Sequence, residues 1–189
     1  MSRLPLTIPD RYGLTAGSTL VQAFWVAGFS LLTALAAQIE VPTRPVPFTL
    51  QTLAVVLAGA VLGPRKGAMS MLAYLALGAI GLPVFSSGGF GIATLLGPTG
   101  GFLLTFPAAA ALVGVLAPRT RRTWTIALAM ACGMALISVG GILQLRATTG
   151  MSWAETLATG FFLFSVWDAV KLAAATAIFK AVRPAAPKS

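Results

Sequence analysis

The chain of 189 residues has no histidine, a single cysteine and only four acidic residues. Clusters of histidine and cysteine hold zinc and haem in proteins, so neither kind of site can be assembled here. The acids are Asp10, Glu40, Glu155 and Asp168. They offer no paired carboxylates for acid–base chemistry, and Cys132 has no imidazole to activate it. The sequence therefore predicts no cofactor, no metal, no disulfide framework and no enzymatic activity.

Charge is also scarce. Only 9% of the residues are charged and 57% are hydrophobic, whereas a soluble domain averages about 25% charged residues. A water-exposed surface cannot be built from this composition, which predicts one compact domain integral to a membrane. The net charge of +9 would suggest nucleic acid as the partner of a soluble protein. Here the basic residues form short clusters between apolar runs, a pattern that indicates membrane topology and no nucleic-acid partner.

Six apolar segments predict an all-α domain of six transmembrane helices that covers residues 1–183, followed by a disordered tail at 184–189. The predicted spans are residues 19–39, 50–62, 67–82, 102–117, 123–145 and 161–179. The second and third are short against the roughly 20 residues that a crossing needs, so they must borrow flanking residues or cross where the layer is thin. Pro107 predicts a kink in the fourth span. The first residues, MSRLPLTIPDRY, lack the apolar stretch and cleavage site of a signal peptide.

Basic residues are unequally divided between the two sides of this arrangement. One side receives ten of them: Arg3, Arg11, Arg65, Lys66, Arg119, Arg121, Arg122, Lys180, Arg183 and Lys188. The other side receives Arg44 and Arg146. The positive-inside rule then predicts cytoplasmic termini and an outward position for the first, third and fifth loops.

Asp168 and Lys171 lie near the middle of the last predicted span, FFLFSVWDAVKLAAATAIF. Three residues apart, they share one face of a helix. A charge at mid-membrane costs roughly 2.5–3.5 kcal/mol on insertion scales, so two charges in one span need an explanation. One interpretation is an ion pair that only holds helices together. The other, which we favour, is a polar site that faces a cavity inside the helix bundle.

Two connecting segments have unusual composition. Residues 40–51, EVPTRPVPFTLQ, contain three prolines and cannot form a regular helix. Phe48, Thr49 and Gln51 lie where this segment re-enters apolar sequence, which favours a lid or a wall over a plain surface turn. Residues 83–101, PVFSSGGFGIATLLGPTGG, are rich in glycine and free of charge. Irregular backbone at membrane depth must be buried or line a cavity, so this segment predicts a loop that offers backbone groups to a ligand.

The first span carries Ala23 and Ala27 four residues apart. Small residues at this spacing let a second helix approach closely, although alanine is common in any apolar helix. The sequence alone leaves both interpretations open.

Five motifs, in order, resemble one family. They are VPFTLQTLAV at 46–55, GAVLGPR at 59–65, GLPVF at 81–85, LGPTGGFL at 96–103 and DAVK at 168–171. Together they resemble the BioY family, the substrate-binding S components of biotin transporters of the energy-coupling factor type. The resemblance covers residues 19–179, nearly the whole chain.

The resemblance implies a six-helix S component in the bacterial inner (cytoplasmic) membrane, with both termini in the cytoplasm and biotin bound near the outward face. The S component has no ATPase of its own. It pairs with a transmembrane coupling protein and two ATP-binding cassette subunits, or associates with itself. By the same resemblance, Ala23 and Ala27 belong to the surface that meets the coupling protein.

The resemblance also assigns roles at the site. Asp168 would accept the ureido N–H groups of biotin, and Lys171 would pair with an anion or steady Asp168. Further candidates for hydrogen bonds are Thr49, Gln51, Ser86, Gly88, Gly89 and Thr99, and the candidate apolar walls are Phe48, Phe85 and Phe164. Some members of the family carry polar site residues in the third and fourth spans. This chain has no charge between Gly67 and Pro118, so its contacts there must come from backbone or hydroxyl groups.

Two alternatives remain beside a biotin transport component. The first is an S component for another small vitamin, and the second is a structural or channel-forming membrane protein. A charged pair within an apolar span, beneath two irregular segments, favours a specific ligand.

Overall fold

The structure, a computed structural model, describes residues 18–43, 46–117, 122–161 and 166–182. The described residues are almost entirely helical, as the sequence predicts. The helices are α1 (Thr19–Gln38), α2 (Gln51–Ala79), α3 (Gly91–Leu96), α4 (Gly100–Leu104), α5 (Phe106–Leu116), α6 (Thr123–Thr149), α7 (Trp153–Phe161) and α8 (Val166–Val182). Two short strands, β1 (Glu40–Val41) and β2 (Phe48–Thr49), pair antiparallel, with Glu40 opposite Thr49.

Helix α2 is a hairpin. Gly63 interrupts it with φ 78°, a left-handed value that glycine adopts without steric cost, and Pro64 follows. A Cβ at Gly67 would lie 2.9 Å from the Cα of Gly59. Residues eight apart in a continuous helix are separated by about 12 Å, so the chain reverses between these two glycines. The break lies where the sequence predicts the turn between the second and third spans.

The glycine-rich segment is more regular than the sequence predicted. In place of a loop, residues 83–101 contain a 3₁₀ turn at Ser86–Gly88, helix α3 and the start of α4. Side chains of the surrounding helices hold it in place. Gln38 of α1 donates to the Phe85 carbonyl at 3.0 Å, and Gln144 of α6 donates to the Leu95 and Gly97 carbonyls at 2.8 and 2.9 Å. These carbonyls therefore hold the fold together.

Pro107 begins a helix where the sequence predicted a kink. The chain turns at Thr105 between α4 and α5, and Pro107 occupies the first turn of α5. Proline is well tolerated there because its missing N–H has no intrahelical partner to lose. Helices α4 and α5 pack closely against α6: a Cβ at Gly101 would lie 2.2 Å from the Gly140 carbonyl oxygen.

Helix α6 is longer than predicted: it runs to Thr149, four residues beyond the predicted end of the fifth span at 145. Gly150 ends the helix in a left-handed conformation with φ 68°. Arg146 stacks over the Trp153 ring at 4.3 Å and donates to the Met151 carbonyl at 2.5 Å. Helix α7 then begins with a capping box, in which Glu155 accepts a hydrogen bond from the Ser152 N–H at 2.9 Å.

The last predicted span, 161–179, differs from the structure. Helix α7 ends at Phe161, and α8 extends from Val166 to Val182. Asp168 therefore lies in the first turn of α8, whereas the sequence predicted it near the middle of the span. The N-terminal turn of a helix favours a carboxylate, because its free N–H groups and its dipole stabilise negative charge.

Two of the described helices, α1 and α6, are long and apolar enough to cross a membrane, and residues 100–116 form a shorter apolar stretch. The six-span arrangement and the position of the termini stay predictions. Large apolar side chains on the outside of α1, among them Leu20, Phe24 and Leu31, are exposed, as expected of a surface that faces lipid. Arg44, Arg119, Arg121 and the tail at 184–189, on which other predictions depend, lie outside the described residues.

Candidate functional site

A cavity of about 470 Å³ lies between α2, α4, α5, α6 and α8. Its remaining walls come from the connection between β1 and β2 and from the glycine-rich segment. Small-molecule sites typically have volumes of about 300–1,000 Å³ and combine apolar walls with a few placed polar groups. The cavity fits that description.

Eight of the eleven ligand-binding candidates line this cavity: Phe48, Thr49, Gln51, Phe85, Ser86, Thr99, Asp168 and Lys171. Gly88 and Gly89 are not part of the lining. The backbone of Gly89 instead closes the 3₁₀ turn, since its N–H donates to the Ser86 carbonyl and its carbonyl accepts from the Phe85 N–H, both at 3.0 Å. Phe164 lies outside the described residues.

The charged pair lies on the cavity wall. Lys171 Nζ is 2.7 Å from Asp168 Oδ1, and the two side chains are only 8% and 13% exposed. The ammonium also donates to the Thr49 carbonyl at 3.3 Å and to Thr52 Oγ1 at 3.2 Å. An ammonium has three N–H donors, so all three have a protein acceptor. Lys171 therefore ties α8 to the start of α2, and the second oxygen of Asp168 has no hydrogen-bond donor among the described residues.

Gln51 lies next to this pair in the first turn of α2. Its side chain is buried, and its Nε2 donates to the hydroxyl of Tyr74 at 3.0 Å. The Tyr74 hydroxyl in turn donates to the Val84 carbonyl at 3.1 Å. Both halves of the α2 hairpin and the glycine-rich segment are thus joined beside the cavity.

Aromatic and aliphatic side chains form the apolar walls. Phe85 and Phe106 are almost fully buried, and both pack against the Tyr74 ring, at 5.5 and 6.3 Å between centroids. Phe102 and Phe48 extend this surface. A flat apolar ligand would find a large contact area on these walls.

Glu40 joins the two segments that border the cavity. It begins β1, and its carboxylate accepts hydrogen bonds from Ser86 and, at 2.5 Å, from Ser87. Although partial burial acts to raise it, these hydrogen bonds hold the pKa of Glu40 below its ordinary value. Ser87 has φ 56°, a strained value for a residue other than glycine. We call this contact between Glu40, Ser86 and Ser87 the carboxylate latch.

The sequence did not identify several lining residues. Thr52 was missed, although it follows Gln51 directly and its hydroxyl meets Lys171. From α6, Met134, Ile137 and Ser138 line the cavity at helical spacing. Because α6 carries no charge before Arg146 and is largely apolar all round, no polar stripe marks which of its faces is turned inward. The latch residue Glu40 is one of the four acids at the sequence level, and nothing in the sequence pairs it with Ser86 and Ser87.

Ala23 and Ala27 lie away from the cavity, and both are exposed on the outside of α1. Nothing lies within 4 Å of a Cβ placed at the adjacent Gly28. This face of α1 could therefore accommodate a closely approaching helix.

The family model described as BioY matches residues 12–188 of the chain. A protein of Pyrococcus horikoshii, described as a probable biotin transporter BioY, is 43% identical over 158 residues, which are 84% of this chain and 92% of that protein. The biotin transporter BioY of Thermotoga maritima is 36% identical over 151 residues, or 79% of this chain and 88% of that protein.

A solved structure has the same fold. It is the 2.1 Å crystal structure of the S-component for biotin from an ECF-type ABC transporter. The superposition has a TM-score of 0.81 and covers 89% of this chain and 93% of that one, at 24% sequence identity. At this identity the similarity establishes the fold.

Proposed function

The chain belongs to the BioY family, and from that premise we propose that it binds biotin and acts as the substrate-specific S component of a transporter of the energy-coupling factor type. Two well-covered relatives are described as biotin transporters, and the fold is that of a biotin S-component. The chain supplies binding and selectivity, and hydrolysis of ATP belongs to its partners.

The observation that carries this proposal is a row of hydrogen-bond acceptors on one wall of an aromatic cavity. Asp168 and Gln51 both line it, and Lys171 contacts Thr49 and Thr52 on either side of Gln51. Biotin presents two ureido N–H donors on an otherwise apolar ring system. We place the ureido ring against Asp168 and Gln51, and the thiophane and aliphatic chain against the aromatic wall.

Of the two roles proposed for Lys171, pairing with a ligand anion or holding Asp168 in place, the second fits better. Its three donors are engaged by Asp168, Thr49 and Thr52, so a ligand carboxylate would have to displace one of them. The hydroxyl of Thr99, elsewhere in the lining, provides a donor for the carboxylate of biotin. Each buried polar atom left unpaired would cost about 1–3 kcal/mol, so this division satisfies more groups.

A thermal-shift measurement on the purified chain in detergent, with a panel of vitamins, tests the function. Biotin should raise the melting temperature in proportion to the logarithm of its concentration above Kd, and at 100 times Kd it should add about 2.7 kcal/mol. Thiamine, riboflavin and pantothenate serve as controls. Stabilisation by one of these and not by biotin would favour an S component for another vitamin, and stabilisation by none would favour a structural role.

The same premise implies a multi-pass protein of the cytoplasmic membrane that assembles with a coupling protein and two ATP-binding cassette subunits, or with itself. The exposed positions of Ala23 and Ala27 on α1 support a contact between helices there. Ala23→Trp or Ala27→Trp should prevent copurification of the coupling protein and leave biotin affinity unchanged. Loss of biotin binding with intact assembly would show that this face serves the ligand and not the partner.

A further inference from the structure

A short hydrogen-bond chain beside the cavity has a fixed direction. It runs from Gln51 through the Tyr74 hydroxyl to the Val84 carbonyl. A carbonyl oxygen only accepts, so the Tyr74 hydroxyl must use its single proton on Val84. The Tyr74 oxygen can then only accept a hydrogen bond from Gln51, so Gln51 must turn its NH₂ group toward Tyr74 as the donor.

The direction of this chain determines what Gln51 offers to the cavity. An amide has one donor end and one acceptor end. With Nε2 turned to Tyr74, the oxygen Oε1 is the end left for a ligand, and it has no hydrogen bond to any described residue. Gln51 lines the cavity, so its carbonyl oxygen is an acceptor on the cavity wall. The opposite amide orientation is unfavourable, because it would place the Gln51 oxygen against the Tyr74 oxygen, and both would be acceptors.

The Tyr74 side chain cannot easily turn away. Its side chain is fully buried, and its ring lies between Phe85, in an edge-to-face arrangement, and Phe106, in a stacked one. Tyr74 itself does not line the cavity. It can influence a ligand only through the group that it orients.

We propose that Tyr74 is a positioning residue for ligand selectivity, which fixes the Gln51 amide so that its oxygen accepts one N–H of a cyclic urea. This proposal rests on the proposed function. The buried Tyr74 hydroxyl would thereby favour ligands that donate a hydrogen bond to Gln51 over ligands that do not.

A double-mutant cycle tests this inference, with biotin Kd measured by calorimetry on the full chain in detergent. Tyr74→Phe removes only the hydroxyl and should weaken binding by about three- to tenfold, the range expected for one neutral hydrogen bond. In a Gln51→Ala background, the same Tyr74→Phe change should have no further effect on Kd. An equal effect in both backgrounds would show that Tyr74 acts independently of Gln51 and would overturn the proposal.

Selectivity gives the second readout. Biotin is compared with its two analogues methylated at one ureido nitrogen each. The parent should bind biotin more tightly than the analogue that lacks the N–H facing Gln51, and Tyr74→Phe should reduce this preference because the amide can then turn. A preference that stays unchanged while both affinities fall would mean that Tyr74 only supports the fold.

Ser70→Ala is the matched control, since Ser70 is also fully buried in α2 and its hydroxyl donates to the Gly67 carbonyl at 2.8 Å, away from the cavity. It should leave Kd and the preference unchanged, and the melting temperature of each unliganded variant reports folding. If the parent chain binds no biotin, the proposed function fails and this inference fails with it. If the parent binds biotin normally and the cycle is additive, only the inference fails.

Discussion

Replacement of Lys171 by methionine separates a structural ion pair from a ligand-binding one. The ammonium of Lys171 lies 2.7 Å from Asp168 and donates to Thr49 and Thr52, so the change removes three contacts at once. Methionine keeps most of the side-chain volume and leaves the apolar packing in place. The perturbation is therefore chiefly electrostatic.

The magnitude follows from the burial of the pair. Removal of one partner of a buried ion pair costs about 3–5 kcal/mol, and the 13% exposure of the Asp168 side chain argues for the lower end, about 3 kcal/mol. Asp168 then takes up a proton rather than remain charged and alone. A protonated carboxyl loses its charged hydrogen bonds to ligand N–H groups, worth about 1.5–3 kcal/mol. Biotin affinity should fall by roughly ten- to a hundredfold.

The assay measures biotin Kd by calorimetry and the melting temperature without ligand, for the same detergent preparation. Lys180→Met is the matched control, because Lys180 lies on the same helix, is exposed and, among the described residues, donates a hydrogen bond only to Thr123 Oγ1, at 2.8 Å. This control should change neither quantity. Lys171→Met should lower both the melting temperature and the affinity.

The double variant Asp168→Asn with Lys171→Met decides between the two roles. A buried ion pair can often be replaced by neutral groups without loss of stability, so the melting temperature should recover. Biotin binding should not recover, because the charged acceptor is gone. Near-native biotin affinity in this double variant would refute the assignment of the pair to the ligand site.

Three further predictions concern the latch, the aromatic wall and the topology. The pKa of Glu40 lies below its ordinary value of 4.5, so the latch should hold above pH 4.5 and be lost as the pH falls through the lowered value. The biotin dissociation rate should rise only in that acidic range, and Glu40→Gln should raise the rate at neutral pH. A dissociation rate that changes with neither the pH nor the substitution would show that the latch does not retain the ligand. Gly78→Ala would place a Cβ 2.0 Å from Cζ of Phe85, so calorimetry should show weaker biotin binding and melting should occur earlier; unchanged values would mean that the ring shifts freely. Cysteines introduced at Arg65 and Gly150 should react with impermeant reagents from opposite sides of the membrane, with Gly150 outside, and labelling from one side would contradict the six-span arrangement.

The sequence predicted helix boundaries well where residues near the boundary, such as glycine or proline, mark it. The first segment was predicted at 19–39 and α1 occupies Thr19–Gln38, and the glycine and proline at 63–64 marked the α2 turn. The predicted fifth span ends at 145, before the charged Arg146, whereas α6 continues to Thr149. In the structure the Arg146 guanidinium stacks on Trp153 beyond the helix, a contact that no local pattern encodes.

The candidate site was predictable to the extent that its residues differ from their surroundings. Asp168 and Lys171 stand out in an apolar segment, and Gln51 follows a proline-rich one. Tyr74 and Glu40 did not stand out, because their roles depend on partners brought together by the α2 turn and by the β1–β2 pairing. Such roles exist only once the chain is folded.

The location of Asp168 resolves the electrostatic difficulty that the sequence poses. A carboxylate at mid-span would face hydrocarbon or need a partner at every stage of insertion. In the structure Asp168 lies in the first turn of α8, while Gln51 and Thr52 lie in the first turn of α2, and Lys171 contacts both turns. The N-terminal ends of two helices thus meet at the polar wall, where their dipoles favour a negative charge. In the proposed binding mode, the second oxygen of Asp168 accepts one N–H of the cyclic urea, and the Gln51 oxygen beside it accepts the other.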